Sequence, residues 1–135
     1  MNKVIIMLLL SLPVFAQADL VVVTGNNSSI TSLTESEARQ LFSGQLKAVA
    51  GQRVQPLDLP SSTSQREEFY RKLMGRSPDQ MRAYWTRLIF TGQGKPPREV
   101  ANTQELTSLV RSGNYIGYLP ADAATAELRI LFRVQ

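Results

Sequence analysis

The sequence predicts an α/β fold in which a mixed sheet is flanked by helices. Three observations lead there: β-branched apolar runs alternate with amphipathic segments of helical period, the helical segments open on capping residues, and glycine, proline or hydroxyl clusters separate the elements. Each element can be justified in turn.

The first eighteen residues stand apart. Lys3 precedes the apolar run Val4 to Leu10, Pro13 marks a bend, and Ala16-Gln17-Ala18 has the small residues of a cleavage site, so residues 1–18 are expected to be a secretory signal peptide. The apolar run is far short of the roughly 20 residues that a membrane span needs. Residues 19–135 are then one domain with one core, exported to the periplasm.

Within that domain, Leu20 to Thr24 reads as a strand buried on both faces, followed by a loop from Gly25 to Ser29. Thr34 and Glu37 have capping-box spacing and open a helix through Leu41 and Phe42. Gly51-Gln52 turns the chain into a strand from Val54 to Leu59. A second helix is expected from about Gln65 to Met74, with Phe69, Leu73 and Tyr70 inward and Gly75 past its end. Ser77-Pro78 starts a third helix, with Met81, Tyr84, Trp85, Leu88 and Ile89 on its inner face. Trp85 has apolar neighbours at helical spacing, which marks it as core. After the glycine- and proline-rich loop from Phe90 to Pro97, Asn102 and Glu105 open a helix through Leu106, Leu109 and Val110. Tyr115 to Leu119 is a short strand whose central Gly117 predicts a close neighbour, and Leu128 to Val134 closes the sheet.

Composition restricts the chemistry. The chain has no cysteine and no histidine. Disulfides, thiol nucleophiles, serine–histidine pairs and the commonest metal ligand are therefore excluded, and the scattered carboxylates have no metal-binding spacing. No catalytic arrangement, metal site or cofactor is expected. Between Arg66 and Arg98, eight basic residues face three acidic ones within a chain of net charge +4. In an exported protein such a segment suits anionic small molecules, lipid headgroups or an acidic partner better than nucleic acid.

One stretch carries most of the functional information. The apolar run stops at Pro60, four hydroxyl residues follow (Ser61, Ser62, Thr63 and Ser64), and helix formers begin at Gln65. The first N–H groups of a helix have no internal partner and carry about half a positive charge, so this corner attracts anions. The same residues also allow a plain cap, with Ser64 at the helix start and Glu67 closing a capping box. The anion reading takes Ser61, Ser62, Thr63, Ser64 and Arg66 as ligands, with the Thr24–Asn27 loop as a further contributor.

Several segments resemble the periplasmic phosphate-binding proteins of ABC transporters, a type 2 periplasmic binding protein family. They are Leu41-Phe42-Ser43-Gly44, the Ser61–Ser64 corner with Arg66 and Phe69, Tyr84-Trp85 leading to Phe90-Thr91-Gly92, Pro96-Pro97, and Ile116-Gly117-Tyr118. The resemblance implies a single lobe of that fold, with phosphate oxygens bound at Ser61, Ser62 and Thr63. Ser62 replaces the family's glycine, and Asp58-Leu59-Pro60 stands where the family has an arginine just before the corner. Full members close two lobes on the ligand, whereas this chain has the length of one. The implied ligand is inorganic phosphate or a similar oxyanion, held weakly. The alternative is a non-catalytic envelope module that has lost the ligand and uses the lobe to bind an envelope protein or a second copy.

Overall fold

The computed structural model describes residues 19–135, with Ser11 the one described position before them. The leader expected over 1–18 and its cleavage point therefore lie outside the described residues, Ser11 excepted.

Seven strands and four helices follow in the order β1 (Leu20–Gly25), α1 (Glu35–Phe42), β2 (Ala48–Val49), β3 (Gln52–Arg53), β4 (Gln55–Asp58), α2 (Ser64–Met74), α3 (Pro78–Phe90), β5 (Arg98–Glu99), α4 (Thr103–Ser112), β6 (Tyr115–Pro120) and β7 (Leu128–Arg133). A 3-10 turn at Ala121–Ala123 joins the last two strands. Five strands form one sheet in the order β5-β4-β6-β1-β7, and β2 pairs with β3 in a small separate hairpin. Strand β4 runs parallel to β5 and β6, while β1 is antiparallel to β6 and β7. This is the mixed sheet expected from the sequence. None of the helices is long and apolar enough to cross a membrane among the described residues.

The sheet is covered on both faces at its centre, where β1 and β6 are buried along most of their length. A Cβ on Gly117 would meet Leu106 at 2.7 Å, so α4 lies directly on β6 and the glycine is what lets it approach. Side chains alternate across a strand, so Tyr118 points to the other face. There its ring stacks on Phe69 of α2 with centroids 3.7 Å apart, and Phe42 of α1 meets both rings edge to face. Such aromatic contacts contribute about 0.5–1.5 kcal/mol each beyond simple burial.

Local chemistry sets the helix ends. Thr34 and Glu37 make the expected capping box, Ser77 makes another with Gln80 ahead of Pro78, and Asn102 caps α4 through Glu105. Gly75 ends α2 in the left-handed conformation, at φ 64°. Trp85 is buried, with its indole 3.2 Å from where a Cβ of Gly44 would stand. Two expectations fail on α3 and α2. Ile89 is 56% exposed, because α3 buries one stripe only, formed by its own Met81, Trp85 and Leu88. The α2 cap is Thr63 and not Ser64, so Glu67 closes no box: Thr63 Oγ1 accepts from Arg66 N–H at 3.4 Å, and Ser64 is already helical.

Candidate functional site

Strand β4 ends at Asp58, and Leu59 to Thr63 carries the chain into α2. The turn is internally tied, since the Thr63 amide and hydroxyl both donate to the Pro60 carbonyl, at 3.0 and 2.7 Å. Ser61, Ser62 and Ser64 are exposed, whereas Thr63 and Arg66 are half-buried. The structure thus brings the five expected ligands to one corner, at the carboxyl end of β4.

The Thr24–Asn27 loop is not part of it. Val23 pairs with Gly117 and Gln55 with Tyr115, so the end of β1 lies beside the start of β4 and β6. The corner is at the opposite end of the sheet. Strand direction decides this, because β1 runs against β4 and β6. The loop is instead held by β7, where Arg129 donates to the carbonyls of Asn26, Ser28 and Ile30.

Beneath the corner is a buried polar floor that the sequence did not signal. Asp58 is 1% exposed and accepts from the phenol of Tyr70 at 2.8 Å and from that of Tyr118 at 2.9 Å. Tyr118 Oη in turn accepts from the Leu59 N–H at 3.2 Å, so the floor fixes the backbone just before the corner. Burial pushes the Asp58 carboxyl up to about 6, against the pull of Arg66 and the two phenols. Burial also raises both phenols above their ordinary range, and the Asp58 charge adds to this.

Arg66 is the cation of the site. It donates to the Leu59 carbonyl at 3.1 Å and stands 3.8 Å from both Asp58 and Glu99. It follows the corner, whereas Asp58, Leu59 and Pro60 stand just before it, where the resemblance would have an arginine. Glu99 also reaches the corner, where its Oε1 accepts from the Ser61 N–H at 2.9 Å. The only available signal for Glu99 was its place in a short segment after Pro96-Pro97.

In open α/β sheets, ligands sit outside the carboxyl ends of the strands, which is where this corner lies. No protein-family model and no curated protein matches the chain. Solved structures do. An ABC-type phosphate transport receptor from Vibrio cholerae aligns over 85% of this chain and 46% of its own, with TM-score 0.64 and 16% identity. A putative phosphate ABC transporter substrate-binding protein with bound phosphate, from Clostridium perfringens, aligns over 85% and 45%, at 0.65 and 13%. PstS from Borrelia burgdorferi aligns over 88% and 48%, at 0.65 and 17%. The chain has the fold of a periplasmic binding protein lobe, is similar to these phosphate receptors, and spans about half their length.

Proposed function

We propose that this chain is an exported, non-catalytic solute-binding lobe that takes inorganic phosphate or a similar oxyanion weakly at the Ser61–Ser64 corner, with Arg66 as the cation. The observation that carries this reading is the run of exposed Ser61, Ser62 and Ser64 at the start of α2, with the Arg66 guanidinium bonded to the Leu59 carbonyl just before it. The likeness to receptors named for phosphate supports the choice of anion. The corner is open to water, where charge contacts are screened and each contributes about 1 kcal/mol or less, so binding is weak. Its location in the periplasm belongs to the same proposal.

The test is the thermal midpoint of the domain with and without millimolar phosphate, using sulfate and chloride at matched ionic strength. A ligand that prefers the folded state raises the midpoint by mass action. A phosphate-selective rise that disappears in the Ser61→Ala/Ser62→Ala variant is expected. A rise that survives the substitutions places the anion elsewhere.

One observation favours the assembly reading as a second possibility. Phe90 is 91% exposed at the end of α3, next to exposed Ile89 and on a face shared with Arg82 and Arg87. Large apolar side chains grouped on a surface mark contact sites. Sedimentation of the domain and of Phe90→Ser should then differ in mass; a monomer in both cases counts against self-assembly.

A further inference from the structure

We propose that Glu99 is a built-in anion that occupies the corner and has to swing out before an external oxyanion can bind. The inference rests on the oxyanion reading and concerns the regulation of that site.

The placement of Glu99 follows from the backbone. Strand β5 is only two residues long, but it is locked in parallel register on β4, with Leu57 opposite Arg98 and Asp58 opposite Glu99. The Val100 N–H donates to the Asp58 carbonyl at 2.9 Å and continues that register. Glu99 is thereby fixed beside the last residue of β4, next to the corner that follows it. Its carboxylate takes two of the groups that an oxyanion would need. One oxygen accepts from the Ser61 N–H at 2.9 Å, and the other stands 3.8 Å from Arg66 Nη1.

The corner therefore already holds an anion, and that anion belongs to the chain. Arg66 also faces Asp58 at 3.8 Å, so one guanidinium stands between two carboxyl groups. An incoming phosphate meets like charge at close range, and like charges on shared donors exclude one another. The Glu99 side chain is nevertheless 51% exposed. Its contacts are one hydrogen bond and one long ion pair at the surface, which are weak, and an exposed side chain changes rotamer within nanoseconds. Only the side chain has to move; the β5 backbone can stay paired.

The experiment is calorimetric titration of inorganic phosphate into the folded domain, its Glu99→Gln variant and its Glu99→Ala variant at constant ionic strength. Both variants should bind phosphate about two- to fivefold more tightly than the parent, as expected when a surface charge competitor is removed. Glutamine can still accept from the Ser61 N–H, so Glu99→Gln removes charge alone, while Glu99→Ala also frees the donor and should bind at least as tightly. Affinities in both variants equal to that of the parent overturn the inference and leave the oxyanion reading standing. Absence of phosphate binding in all three proteins overturns both. Tighter binding that persists when Arg66→Gln is added to Glu99→Gln places the anion outside the corner and also overturns both.

Discussion

The floor and the rim of the corner lie next to each other in the same short stretch and obey opposite rules. The floor, Asp58 with Tyr70 and Tyr118, is buried, and each of its polar side chains has a partner. The rim, Ser61, Ser62 and Ser64 with Glu99, is exposed and tied by few contacts. In a low-dielectric floor an unmade contact is expensive, whereas at a wet rim contacts exchange with water at little cost. The floor therefore holds the shape of the corner, and the rim is free to exchange ligands.

Substitutions and pH should separate the two. The largest effect is expected from Phe69→Ala, which removes the ring stacked under Tyr118. A loss of about 3–5 kcal/mol in chemical denaturation fits a buried aromatic truncated to a cavity. A loss below 1 kcal/mol would show that the floor is not packed as tightly as described.

The next effect is a dependence on pH. The Asp58 carboxyl titrates near 6 when folded, against 3.8 for its ordinary value. Between those values the folded chain holds more protons than the unfolded one, so this group favours folding at low pH. Its contribution, on the order of 2–3 kcal/mol, is fully present below the unfolded value and is lost as pH rises through about 6. Denaturation of the parent and of Asp58→Asn at pH 5 and pH 7 isolates it. The stability difference between parent and variant should shift in favour of the parent at pH 5. A difference that is the same at both pH values would mean that Asp58 does not carry a raised carboxyl.

Smaller effects test the rim. Thr63→Ala removes the cap of α2 and should cost about 1 kcal/mol, whereas Ser62→Ala should stay within about 0.5 kcal/mol. Equal costs in the two variants would erase the distinction between the capping hydroxyl and its exposed neighbour.

Much of this was legible in the sequence. The Thr34 and Asn102 helix starts, the β1, β4, β6 and β7 runs, and the close approach at Gly117 all rest on local chemistry that a single chain displays. The corner was legible for the same reason. Its cap was misplaced by one residue because four consecutive hydroxyls can each cap, and only backbone geometry selects Thr63. The floor was hidden because Asp58 meets Tyr118 across 60 positions of sequence. Tyr70 and Tyr118 carry no pattern beyond an apolar one. Strand direction is also non-local, which is why the Thr24–Asn27 loop was expected at the wrong end of the sheet. Glu99 lies on a two-residue strand, too short for any periodicity to show.

Trp85 gives the molecule an optical probe of its own. It is the sole tryptophan, and it is buried between α3 and the Gly44 turn after α1, with the Tyr84 ring edge-on at 5.0 Å. Its emission should stay blue while α1 and α3 remain docked and shift red when they part. Fluorescence thus follows the docking of the helical layer, without a label.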